Sequence, residues 1–326
     1  MKKESKVNIG VIGVGRLGSF HIEQYQLLKN INIVGFYDID LKKSKKIEKK
    51  YNIRSYSSIN ELINSCDGVS VATPTISHYK IAKQCILDDC HVLIEKPITK
   101  NIRQAKELVN LANKQNKIIQ VGHVERFNPA FDILKNKIIN PLFVESHRLS
   151  PFSIRGTDVD VILDLMIHDI DILLSLVKSK IIDIRASGAS VLSKQIDTAN
   201  ARIEFKNGCV ANITASRIAQ KKMRKFRFFE KTSYTTIDFL HPNIEIYTVK
   251  NKKPLNESYM VMSGLDGKYI VYEKPVIKHY NALKKELENF LLSISKLEQP
   301  LIDGMSGLSA LEVAIQIQDN IKTLNK

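Results

Sequence analysis

Near its amino terminus the chain reads "GVIGVGRLGSFH", with glycines spaced Gly13-x-Gly15-x-x-Gly18. Three glycines at that spacing serve many tight turns and constrain little by themselves. Their surroundings constrain much more. The apolar run "VNIGVIG" before them reads as a buried strand, and the residues after Gly18 read as a helix, so the chain must turn sharply from one into the other. In that setting Gly13 permits the turn, Gly15 lets a phosphate approach the backbone, and Gly18 allows the helix to pack closely. The first turn of the helix then offers unpaired N–H groups and a positive dipole end to an anion. Gly13, Val14, Gly15, Arg16, Leu17 and Gly18 are therefore expected to cradle a dinucleotide pyrophosphate.

The second apolar run, "INIVGFYDID", carries Asp38 at its end, twenty residues past Gly18. A carboxylate there accepts hydrogen bonds from ribose hydroxyls and repels a 2′-phosphate, which favours NAD over NADP. Lys42 and Lys43 pull the other way, since either could pair with a phosphate. "GVSVATP", "HVLIEKP" and "KIIQVG" follow, each after a helical segment. Alternation of this kind, with strands that are apolar throughout, predicts a doubly wound parallel α/β sheet, a Rossmann domain over residues 1–123.

Beyond residue 123 the pattern changes. "ARIEFKNGCVANITASRI" holds an Asn207-Gly208 turn between two runs of alternating polarity, which predicts a hairpin. "KFRFFEKTSYTTIDFL", "NIEIYTVK" and "KYIVYEKPV" read as further antiparallel strands, and helices are expected near 280–297 and 304–322. The prediction for 124–326 is an α+β domain with an open, mostly antiparallel sheet, its last helices packing back near the domain junction.

The chain carries 49 basic and 34 acidic residues, a formal net charge of +15. Its lysines are spread along helical patterns rich in Asn and Ile, and no zinc finger or RNA-binding aromatic motif accompanies them, so no nucleic-acid partner is expected. A basic surface suits an anionic small substrate. No run of eighteen apolar residues occurs, so no membrane partner is expected, and the N-terminus reads as a strand with no signal peptide. Four cysteines without metal-type spacing point to reduced thiols and a cytoplasmic protein. No H-x-x-x-H pair occurs and no catalytic metal is expected.

Two strand ends carry further polar groups. "VATPTISHY" places Thr73, Pro74 and His78, and "LIEKP" places Glu95 and Lys96, at the ligand-facing carboxyl edge of the sheet. Further on, "RGTDVDVILDLMIHDIDILL" sets Asp164 and His168 four residues apart, on one face of a helix. Asp160, Asp169 and Asp171 in the same stretch are expected to serve solvation, capping or the domain interface.

The glycine fingerprint, "ATPTISH", "EKP", "VERFNPA", the Asp-x-x-x-His helix and "DGMSGLSALEVAIQ" together resemble the Gfo/Idh/MocA family of oxidoreductases. The likeness runs nearly end to end. It implies a Rossmann domain joined to an open-sheet domain, a nicotinamide cofactor, and a homo-oligomer, dimer or tetramer. It also implies that Lys96, Asp164 and His168 surround the reacting hydroxyl. In those roles His168, with an ordinary imidazole pKa of about 6.5, accepts the hydroxyl proton, Lys96 stabilises developing alkoxide character, and Asp164 orients the pair. Where many relatives have a glycine between this Asp and His, the chain has Leu165-Met166-Ile167, which implies a differently shaped pocket. "GHVERFNPA" and the segment around the helix resemble the branch that oxidises the 3-hydroxyl of UDP-N-acetylglucosamine, on the way to 3-amino sugars and lipid A. A UDP-sugar needs cations for its pyrophosphate, and Arg126, Arg148 and Arg155 are the candidates, with Asn128 and His168 as further substrate contacts. A dehydrogenase of inositol or another free sugar, and a non-catalytic dinucleotide-binding regulator, remain as alternative readings.

Overall fold

The computed structural model describes residues 6–324 apart from 135, 136, 138, 154–158 and 255–259. Two compact units emerge, one formed by Met1–Phe127 with Asn281–Leu311, the other by Asn128–Tyr280 with Glu312–Lys326. Residues 281–311, from the end of the chain, thus belong with the first unit.

In the first unit β1 (Val7–Ile12), β2 (Ile31–Tyr37), β3 (Gly68–Val71), β4 (His91–Glu95) and β5 (Ile119–Gly122) pair in parallel, in the order β2-β1-β3-β4-β5. Helices α1 (Arg16–Tyr25), α2 (Leu41–Tyr51), α3 (Ile59–Ile63), α4 (Thr75–Leu87) and α5 (Ile102–Lys114) connect them. Strands β3, β4 and β5 are buried at every residue, as parallel strands covered on both faces must be. Three helices begin on conventional caps: Asp40, Ser58 and Asn101 accept backbone N–H groups at the starts of α2, α3 and α5. The starts of α1 and α4, at Gly15 and Pro74, have no side-chain cap. These two helices follow β1 and β3, between which the strand order reverses, so the uncapped N–H groups stand where such a sheet binds its ligand.

The second unit opens with the short helix α6 (Pro129–Asp132). Among the described residues its sheet has nine strands: β6 (Phe143–Leu149), β7 (Ile181–Ala189), β8 (Thr198–Phe205), β9 (Val210–Ser216), β10 (Met223–Phe229), β11 (Ser233–Asp238), β12 (Asn243–Lys250), β13 (Met260–Ser263) and β14 (Tyr269–Glu273). They lie in the order β13-β14-β12-β11-β10-β6-β9-β8-β7. Every pairing is antiparallel except β6 with β9. Asn207 and Gly208 form the expected turn between β8 and β9, with Gly208 at φ +86. Buried and less buried residues alternate along β6, β8 and β9, so one face of the sheet is covered. A helical segment lies on β9, wound as a π-helix over Ile162–Met166 and as α7 over Ile167–Leu176. Across the opposite face runs an aromatic row, Phe143, Phe229, Tyr234, Tyr247 and Tyr272, with successive ring centroids 5.7, 4.6, 5.7 and 4.9 Å apart.

Two helices end the chain, α8 (Ala282–Lys296) and α9 (Gly304–Leu324). Helix α8 explains the discontinuous first unit. Leu287, Phe290, Leu291 and Ile294 join the core formed by Ile9, Tyr25 and Leu93, and the Gln120 amide donates to the Glu286 carbonyl at 2.9 Å. An apolar face of that size stays with the sheet it covers.

Candidate active site

Along the carboxyl edge of the parallel sheet the glycines sit as their spacing requires. Gly13 has φ +85, and a Cβ there would lie 2.7 Å from Thr73 Cγ2. A Cβ on Gly18 would collide with the Gly13 carbonyl oxygen, so α1 can approach its own loop only if residue 18 is glycine. Gly15 is different. A Cβ there would meet nothing within 4 Å, so the fold itself does not demand glycine at 15. Open space at residue 15, an uncapped helix start and a first turn free of acidic residues form a cradle that fits a dinucleotide pyrophosphate. Val14 is buried beneath the loop, whereas Arg16 and Leu17 are exposed.

Asp38 ties the loop to β2. Its Oδ2 accepts the Val14 N–H at 2.8 Å, its Oδ1 accepts the Asp40 N–H at 2.9 Å, and Lys43 Nζ stands 3.6 Å from Oδ2. The carboxylate still has lone pairs for ribose hydroxyls. Lys43, one of the two lysines that could have favoured a 2′-phosphate, is already paired with Asp38. Thr73 and Pro74 line the β3–α4 turn, with Thr73 Oγ1 accepting the Ser77 hydroxyl at 2.8 Å.

His78 and Glu95 act behind this surface. His78 is buried, its Nδ1 2.9 Å from the Pro97 carbonyl and its Nε2 2.8 Å from the Thr73 carbonyl. It braces the turn after β3 against the turn after β4 and so fixes the backbone around Lys96. Burial holds its ring below the ordinary imidazole value, against the opposite pull of the two carbonyls. Glu95 Oε1 lies 2.8 Å from Nε2 of His21, which is fully buried on α1. Burial works to raise the Glu95 carboxyl, but the His21 hydrogen bond, with the charges of His21, Lys96 and His78, outweighs it and holds the group below the usual carboxylate range. Both residues, expected among the cofactor contacts, are thus buried and hydrogen-bonded within the first unit. Lys96 is half-buried at the end of β4.

In the second unit, Asp164 and His168 are half-buried on the segment over β9, Asp164 in its π-helical part and His168 in α7. The neighbouring acids have distinct tasks. Asp160 Oδ1 accepts the Ile162 and Leu163 N–H groups, each at 3.1 Å, which is the capping role expected of it. Asp169 is not solvated. It is 2% exposed and receives Arg148 Nε at 2.8 Å and Nη2 at 3.0 Å. This removes Arg148 from the candidates for a substrate pyrophosphate. Asp171 is buried as well. Asn128 caps α6 through Oδ1, at 3.1 Å from the Ala130 N–H, and donates to the Phe239 carbonyl at 3.1 Å. Arg126 is half-buried on the 3₁₀ turn Val124–Phe127, and Arg155 lies outside the described residues. Met166, expected to reshape the pocket, is fully buried.

Three buried polar arrangements were not expected from the sequence: the His21–Glu95 pair, the Arg148–Asp169 pair and a cage around Asp197. Gly18, His21, Ile22 and Tyr25 form the buried stripe of α1 at helical spacing, so a histidine within it implied a buried partner. Nothing local pointed to Glu95 as that partner. Asp197 is fully buried, accepting N–H groups of Val191, Leu192 and Ser193 and the Arg217 Nε at 2.8 Å. Burial works to raise its carboxyl, and these hydrogen bonds hold it far below the usual range instead. A cleft of about 1250 Å³ lies at the opposite edge of the parallel sheet, lined by Val7, Ile31 and His91 at strand starts, and so takes no part in this edge.

Residues 7–123 match the model of an oxidoreductase family with an NAD-binding Rossmann fold, Gfo/Idh/MocA, and residues 146–240 match a C-terminal domain of the same family. A UDP-N-acetylglucosamine 3-dehydrogenase from Acidithiobacillus ferrooxidans is 32% identical over 95% of both chains. A crystallised enzyme of that description from the same organism superposes with a TM-score of 0.89, at 30% identity, covering 98% of this chain and 99% of that one. A myo-inositol 2-dehydrogenase from Thermotoga maritima is 23% identical over 94% of this chain and 93% of its own.

Two glycine variants separate the cradle from the fold. Gly15→Ala is expected to melt within about one degree of the parent, since its methyl meets no protein atom, yet to bind dinucleotide about tenfold more weakly, the equivalent of ~1.4 kcal/mol. Gly18→Ala is expected to lose stability, because α1 must move away from Gly13. Thermal melts with and without dinucleotide read both, and unchanged affinity in Gly15→Ala would contradict the cradle.

Proposed function

The chain belongs to the Gfo/Idh/MocA oxidoreductase family, and within it we propose an NAD-dependent dehydrogenase that oxidises the 3-hydroxyl of UDP-N-acetylglucosamine to a ketone. The observation that carries the substrate is the full-length likeness to an enzyme of that specificity, in sequence and in structure. For the cofactor, the support is the cradle at Gly15 and the carboxylate of Asp38, with its paired Lys43. The ketone suits a following aminotransferase, in keeping with 3-amino sugar and lipid A synthesis in the cytoplasm.

The Gly15 cradle and Asp38 would hold a nicotinamide dinucleotide at this edge, which would supply the hydride acceptor for the carbinol carbon. The remaining tasks fall to the chain. His168 accepts the hydroxyl proton as the carbon–hydrogen bond breaks, and Asp164, four residues earlier, orients the imidazole. Lys96 donates a hydrogen bond to the same oxygen and stabilises the charge that develops on it. Its position is set from behind by His78 and by the Glu95–His21 pair. Arg126 and Arg155 remain as candidates for the substrate pyrophosphate.

A second copy of the chain is the partner we assign to the open sheet face. The aromatic row spans five strands, and an apolar band of that extent is characteristic of an association surface. Light scattering is expected to give two or four times the 37.0 kDa chain mass. A monomer at micromolar concentration would remove this assignment.

Reduced nicotinamide should accumulate when the protein is mixed with NAD and UDP-N-acetylglucosamine in the presence of a ketone trap, and not with free N-acetylglucosamine. NADP should substitute poorly. His168→Ala and Lys96→Ala should lower kcat by roughly 10²–10⁴-fold, the usual worth of a positioned proton-transfer group, and His168→Ala should keep its NAD affinity. Turnover of inositol with none of the nucleotide sugar would replace the proposed substrate, and full activity in both variants would remove the assigned roles.

A further inference from the structure

The helical segment that carries Asp164 and His168 is buried on almost every side. Ile162, Met166, Ile167, Ile170, Ile172 and Leu173 are all fully inaccessible. At about 100° per residue, these positions spread around most of the helix circumference. Apolar burial is non-directional, so an apolar face this wide fixes only loosely the rotation that sets the half-buried Asp164 and His168. The winding adds a second freedom. The hydrogen-bond ladder changes from π to α between Met166 and Ile167, and this junction lies between Asp164 and His168. A one-residue slip there is the natural error of such a segment.

What resists that slip is polar. Arg148 reaches the helix from β6, which is itself paired on both sides, to β9 and to β10. Its two nitrogens grip both oxygens of Asp169, and both side chains are about as inaccessible as the core around them, at 3% and 2%. A planar fork meeting a carboxylate tolerates little rotation, and breaking it would strand two buried charges. The start of the segment is held independently. Asp160 caps it and receives the Gln318 amide, while Arg217, anchored on Asp197, donates to the Val159 carbonyl at 2.8 Å.

We infer that the Arg148–Asp169 pair sets the rotational register of this segment, making both positioning residues for Asp164 and His168. Residue 169 directly follows His168, so a helix fixed at Asp169 is fixed at the imidazole too. The pair acts on geometry more than on stability, because buried ion pairs replaced by apolar groups of similar volume often leave stability unchanged or improved. The catalytic consequence rests on the reading of Asp164 and His168 given above.

The test uses the full chain with methyl-¹³C methionine. In the parent protein, the Met166 methyl, buried in the π-helical part, should give a single sharp resonance, identified by Met166→Leu. The double variant Arg148→Met with Asp169→Leu should melt at or above the parent temperature and bind NAD unchanged. Its Met166 resonance should split or broaden, and kcat on UDP-N-acetylglucosamine should fall about 100-fold, as expected for a displaced catalytic group. Arg148→Lys keeps the charge without the fork and should lose about tenfold in kcat with a partly broadened Met166 line. The methyl signal needs no substrate, so failure of the parent to oxidise the nucleotide sugar would remove the proposed function and leave the register test intact. One sharp Met166 line and undiminished kcat in the double variant would overturn the inference. Unfolding of both variants would overturn it too, since the pair would then be an ordinary stability element.

Discussion

The close approach of α1 to the loop that precedes it is the constraint on which the carboxyl edge depends. It exists because residue 18 carries no side chain and residue 13 adopts a positive φ. With α1 drawn in, the Val14 N–H reaches the Asp38 carboxylate at the end of the neighbouring strand, and His21, one turn further along the same helix, reaches Glu95. One short contact therefore ties together the ends of β1, β2 and β4. The anion cradle, the ribose carboxylate and the strand end bearing Lys96 are consequences of a single packing event, and a larger residue at position 18 would disturb all three.

The two units solve the problem of placing reactive groups differently. In the first, backbone turns at strand ends do the work, and buried polar side chains brace those turns. His78 spans two carbonyls, and Glu95 is held by His21. In the second, the reactive residues sit on a helix whose apolar burial says little about its rotation. There the polar contacts must be directional. Asp160, Asp169 and the Arg217–Asp197 pair hold the start and middle of that segment at fixed angles. Such pairs contribute little net stability against well-packed apolar replacements, and their value lies in excluding alternatives.

These differences explain what could be read from the chain. The parallel sheet was legible because glycine spacing and the alternation of apolar strands with helical segments are local signals, and the β8–β9 hairpin because Asn207-Gly208 specifies its own turn. The reach of Asn281–Leu311 back into the first unit was not, since an amphipathic helix does not state which sheet it will cover. The acids Asp160, Asp169 and Asp171 shared one expectation of solvation, capping or the domain interface, and only the structure shows that Asp160 is the cap. Asp169 resembled a solvated residue, because its partner Arg148 lies 21 positions away on a strand. For the same reason the pairing of Arg148 with Asp169, and the hold of the Asn128 amide on α6 and Phe239, could not be read from spacing. A π-helical turn between Asp164 and His168 leaves no trace in residue spacing, since residues four apart share a face in either winding.

The most direct measurement is the fate of deuterium placed on carbon 3 of the sugar in UDP-N-acetylglucosamine. After a single turnover with NAD, mass spectrometry of the recovered nicotinamide dinucleotide should find one deuterium in its reduced form, and substrate labelled at carbon 4 should transfer none. Reduced cofactor without deuterium from carbon 3, or deuterium arriving from carbon 4, would contradict oxidation at the 3-hydroxyl.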